Sequence, residues 1–124
     1  MNYDKKIIVI DDDKSIRNVL QEYLQKLGYQ VILAIDGLEG MDRLKQESYD
    51  LVIVDIRMPY ISGIGLIKLI KEEKPDLPVI CITAYGMSPE KIANEEQADV
   101  TISKPFNLKT LAKEINKLLA PVDN

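Results

Sequence analysis

At 124 residues, the chain is long enough for one hydrophobic core and too short for two. Its 46% hydrophobic and 29% charged residues are those of a soluble globular domain, and a net charge of −4 argues against a basic nucleic-acid face. With no histidine and one cysteine, it lacks an imidazole for zinc, a Ser-His or Cys-His nucleophile pair and an internal disulfide. No run approaches the roughly 18 apolar residues of a membrane span, and MNYDKK lacks the apolar segment of a signal peptide; the expected setting is cytoplasmic, with no membrane partner.

The chain reads as five strand-then-helix units. IIVI at 7–10 is the first apolar, β-branched run, and it ends in Asp11, Asp12 and Asp13. Asp13 directly precedes a helix and suits its N-cap. That helix carries Ile16, Val19, Leu20, Tyr23, Leu24 and Leu27 at helical spacing, and Gly28 stands where a C-terminal cap belongs. Arg17, Arg43 and most lysines read as surface charge. VILA at 31–34 is the second strand, followed by Asp36-Gly37 and a helix marked by Leu38, Met41 and Leu44.

LVIV at 51–54 is the third strand and runs into Asp55, with Pro59 four residues later. The third helix carries Ile64, Leu66, Ile67, Leu69 and Ile70 and stops at Lys74-Pro75. Its start, GIGLIK from Gly63, lacks the Walker spacing of a phosphate loop and reads as a turn into a helix. VICI at 79–82 precedes Thr83 and Ala84, and Cys81 within it reads as a small buried hydrophobe. Ser88-Pro89-Glu90 begins a fourth helix with a thin apolar stripe at Ile92 and Ala93. VTI at 100–102 is a weaker strand ending in Ser103 and Lys104. Asn107 then caps a strong last helix through Leu108, Leu111, Ala112, Ile115, Leu118 and Leu119. One domain over 1–124 is expected, with its core at 6–119 and a short tail at 120–124.

Strict alternation with fully apolar strands implies a parallel sheet covered by helices on both faces. Two strand orders are common for five strands, the Rossmann half and the flavodoxin-like order 2-1-3-4-5, and both bind ligands outside the carboxyl ends of the strands. In the second order Asp11 or Asp12 meets Asp55. Packed carboxylates repel unless a cation sits among them, and Mg²⁺, hard and oxygen-seeking, suits them. Lys104 and the Thr83 hydroxyl complete a pocket able to stabilise an anionic group near Asp55.

VIDDD, LVIVDIRMP, ITA and SKPF, in that order and at strand ends, resemble the receiver domain of two-component response regulators. The resemblance covers nearly the whole chain and implies the 2-1-3-4-5 sheet. It implies Asp55 as phosphoacceptor, with Mg²⁺ held by Asp12, by Asp11 directly or through water, by Asp55 and by the backbone carbonyl of Arg57. Thr83 would donate to one phosphoryl oxygen and Lys104 pair with another. The phosphodonor would be a sensor histidine kinase or a histidine phosphotransfer protein, and the chain a signalling module rather than an enzyme. The resemblance also implies a cis Lys104–Pro105 bond.

Two features depart from that pattern or vary within it. Thr101 stands where the family usually has an aromatic residue, whose inward turn it is too small to copy; an unfilled void is expected there. Tyr85 and Arg57, at variable positions, flank the phosphoryl site. Two other classes fit less well. Aspartyl phosphohydrolases carry a second acid two residues after the nucleophile, where Arg57 stands here. A flavin module would want a Ser/Thr-rich phosphate loop after the first strand, which is absent.

Overall fold

The computed structural model describes residues 4–56, 63–83 and 98–120. Five parallel strands form one sheet: β1 (Lys6–Ile10), β2 (Gln30–Ala34), β3 (Leu51–Asp55), β4 (Val79–Thr83) and β5 (Val100–Ser103). Their order is β2-β1-β3-β4-β5, the flavodoxin-like arrangement the resemblance implies. The described helices are α1 (Lys14–Lys26), α2 (Gly37–Gln46), α3 (Gly63–Glu73) and α4 (Leu108–Leu119). The fourth predicted helix, from Ser88, lies outside the described residues.

Because successive strand residues point to opposite faces, each apolar strand feeds two cores. Ile8, Ile10, Val52, Val54, Val79 and Cys81 pack with Leu44 of α2 and Leu66, Ile67 and Ile70 of α3. Ile7, Val9, Leu51, Ile53, Ile80 and Ile82 pack with Leu20 and Leu24 of α1 and Leu111 and Ile115 of α4. Helices therefore cover both faces, and no helix among the described residues is long and apolar enough to cross a membrane.

Side chains before the helices begin them. Asp13 accepts from Ser15 N and Ile16 N at the start of α1, and Asn107 from Lys109 N at the start of α4. Asp36 caps α2 by accepting from Glu39 N, while Glu39 accepts in return from Ile35 N. Gly28, at φ 99°, ends α1 in the left-handed conformation that its sequence position anticipates.

Three apolar stripes were wider in the sequence than in the core, that of α3 through the exposed Leu69. Leu38 is 60% exposed, and α2 meets the sheet through Leu44 and through Gly40, which stands against the Ile10 side chain. Val19 is 48% exposed although it belongs to the α1 stripe. The amino edge of the sheet is fastened by polar ties. Lys71 Nζ donates to Leu77 O and Asp99 Oδ2, both at 2.8 Å, and Asp99 Oδ2 also accepts from Val79 N. Asp50 Oδ2 accepts from Lys6 N at 2.8 Å.

Candidate phosphoacceptor site

The register explains how distant acids meet. Ile10 of β1 lies beside Val54 of β3, so the next residues, Asp11 and Asp55, are neighbours at the carboxyl edge. Asp11 continues the row Ile7, Val9, and Asp55 the row Leu51, Ile53, both on the face covered by α1 and α4. Ile102 of β5 belongs to that face too, and Lys104 stands two residues beyond it. The lysine stem is long enough to cross β4, and its Nζ donates to Asp55 Oδ2 at 3.2 Å.

Asp11, Asp12 and Asp55 each bring one carboxylate oxygen to within 4.8 Å of the others. Asp12 is exposed, whereas Asp11 and Asp55 are only 1% and 4% exposed. Asp13 N donates to Asp11 Oδ1 at 2.9 Å, but Asp11 Oδ2 is buried with no hydrogen-bond partner. Burial pushes the Asp11 carboxyl up to about 7, and the charge of Asp55 adds to the rise; the Asp13 amide and Lys104 pull the other way. A hard cation among these oxygens would satisfy the orphaned Oδ2 and cancel the repulsion, so this donor set fits Mg²⁺.

Arg17 corrects the sequence reading. It is half-buried, and its Nη1 donates to the backbone carbonyl of Asp11 at 2.7 Å. The first turn of α1 is thereby tied to the peptide that aims Asp11. Such a bond has no signature in side-chain periodicity. Replacing Arg17 with Leu is expected to cost about 1.5 kcal/mol in urea unfolding. An unchanged midpoint would return Arg17 to the surface charges.

The remaining expectations divide. Thr83 ends β4, its backbone paired in register with Ser103, while its side chain, Arg57 and Tyr85 lie outside the described residues. Lys104–Pro105 is cis. Thr101 is exposed on β5. Beside the acids, Lys104, Pro105 and Phe106 face Ile16, Val19 and Leu108 across an open cleft of about 490 Å³.

The sequence profile of the response regulator receiver domain matches residues 7–116. A probable transcriptional regulator, ycf27, from Cyanophora paradoxa is 38% identical over 97% of this chain and 50% of its own length. The alkaline phosphatase synthesis transcriptional regulatory protein PhoP of Bacillus subtilis is 34% identical over 93% of this chain and 48% of its own. The chain thus spans about half the length of these curated relatives. Among solved structures, the response regulator protein TrrA of Thermotoga maritima, in complex with Mg(2+)-BeF, superposes with a TM-score of 0.85 at 38% identity, covering 93% of this chain and 99% of that one. Fold, acid cluster and relatives agree, and the chain belongs to the response regulator receiver domain family of two-component signalling.

Proposed function

We propose that this receiver accepts a phosphoryl group on Asp55 from a sensor histidine kinase or a histidine phosphotransfer protein in the cytoplasm, and that the modification alters its partner-binding surface. The observation that carries the reading is the cluster of Asp11, Asp12 and Asp55 with Lys104 on the Asp55 carboxylate. An oxygen of Asp55 forms the new bond to phosphorus as the donor's P–N bond breaks, and the electron pair leaves with the imidazole nitrogen. Such transfer needs mainly positioning and neutralised charge.

Asp11, Asp12, Asp55 and the Arg57 carbonyl are the proposed Mg²⁺ ligands, and the Mg(2+)-BeF bound to TrrA supports that choice. When bound, Mg²⁺ neutralises the acids and the incoming phosphoryl oxygens. Lys104 holds Asp55 in place before transfer and is available to a phosphoryl oxygen afterwards; Thr83 is assigned a second oxygen. Burial of Asp55 limits access of water to the acyl phosphate.

The test is incubation with acetyl phosphate. With Mg²⁺ present, intact mass is expected to rise by about 80 Da, and peptide mapping to place the adduct on Asp55. No adduct, or one formed equally well in EDTA, would count against the proposal. Continuous turnover without an adduct would instead indicate a phosphohydrolase.

A further inference from the structure

Gly63 is the first residue of α3, and it touches the backbone of the phosphoacceptor. Its N–H donates to Ile56 O at 2.9 Å, while Ile56 N–H donates to Ile82 O of β4 at 3.0 Å. The peptide after Asp55 is therefore held by the sheet on one side and by the start of a helix on the other. A Cβ at position 63 would lie 2.5 Å from Asp55 O, 2.5 Å from Ile56 Cα and 3.0 Å from the Asp55 carbonyl carbon. All three are main-chain atoms, which cannot swing aside. Gly40 differs, because the atoms it meets belong to the Ile10 side chain. Nor is conformation the reason for glycine at 63, since Gly28 is the positive-φ glycine among the described residues.

We infer that Gly63 is a positioning residue for phosphoryl transfer: lacking a side chain, it lets α3 clamp the Asp55–Ile56 backbone and so sets where the Asp55 carboxylate stands relative to Lys104 and Asp11. The inference rests on the reading of Asp55 as phosphoacceptor. Relieving a 2.5 Å contact to ordinary van der Waals distance moves that backbone, or the start of α3, by about 1 Å. The 3.2 Å Lys104–Asp55 pair and the acid cluster are both built on the carboxylate so displaced. A misplacement of this size at a reacting group lowers its rate by about a hundredfold.

Gly63→Ala is expected to slow labelling of Asp55 by acetyl phosphate, at saturating Mg²⁺, by about ten- to a hundredfold and to weaken Mg²⁺ binding. Ile67→Val loosens the same helix without touching Asp55, and its labelling rate is expected to stay within about twofold of the natural chain. A folded Gly63→Ala protein with natural labelling and Mg²⁺ affinity overturns the inference, as does an equal loss in Ile67→Val. If Gly63→Ala does not fold, amide NMR of the natural chain decides. The Gly63 amide is expected to shift during a Mg²⁺ titration in step with those of Asp12 and Asp55, and a stationary Gly63 signal overturns the inference. An adduct mapped to a residue other than Asp55 sinks the underlying reading instead.

Discussion

Asp55→Asn is expected to abolish the acetyl phosphate adduct while leaving the protein folded. Asn keeps the shape of the side chain and removes the nucleophilic oxygen, so the chemistry fails without a packing change. Among the described residues, Asp55 is the acid whose carboxylate meets both Lys104 and the other two acids. Asp11 is a poor substitute because burial favours its protonated form. Asp12 is exposed, where water competes for the charged donor. The variant loses one carboxylate of the acid cluster, so its melting temperature should gain less from Mg²⁺ than that of the natural chain. Intact mass and a thermal melt with and without Mg²⁺ check both halves. An adduct formed at an undiminished rate, on any residue, would refute the assignment.

The second large effect is a stability that falls with rising pH in the metal-free protein. The folded chain holds the Asp11 proton up to about pH 7, whereas the unfolded chain releases it near the ordinary value of 3.8. Between those limits the folded state binds more protons, so stability falls as pH rises. This stability is fully present below about pH 4 and gone above about pH 7. Asp11→Asn still accepts from Asp13 N through its side-chain oxygen but cannot charge. It should flatten the profile and be the more stable protein at pH 8 in EDTA, at the expense of Mg²⁺ binding. Urea unfolding across this range checks the slope. A natural chain no less stable at pH 8 than at pH 5, or a variant with the same slope, would contradict the account.

Most of the fold and the heart of the site were legible because both depend on local pattern. Strand ends are marked by the passage from β-branched residues to Asp11, Asp55 and Lys104, and helix starts by Asp13 and Asn107. Side-chain spacing does not say how much of a stripe the neighbours will cover. Leu38, Val19 and Leu69 therefore remained exposed, and α2 approached the sheet through Leu44 and also through Gly40, where no side chain announces a contact. Arg17 and Asp99 were illegible for another reason. Each bonds to backbone atoms brought near by the folded chain, and backbone groups are the same at every position. Gly63 belongs with them, since its significance lies in a main-chain approach seen only in three dimensions.

The two parallel rows that end in Asp11 and Asp55 also restrict how such a chain can change in length. Side chains alternate faces with a period of two, so inserting or deleting one residue within β1 or β3 would turn the terminal acid toward α2 and α3. The carboxylate would then be buried among aliphatic side chains, away from Lys104 and its partner acid. A single-residue length change would cost both function and stability, whereas a two-residue change would preserve the facing and shift only the height of the acid above the sheet. Length variation in this architecture therefore belongs to the helices and to the loops at the amino edge, where Asp50 and Asp99 tie the backbone and no chemistry depends on which face a residue occupies.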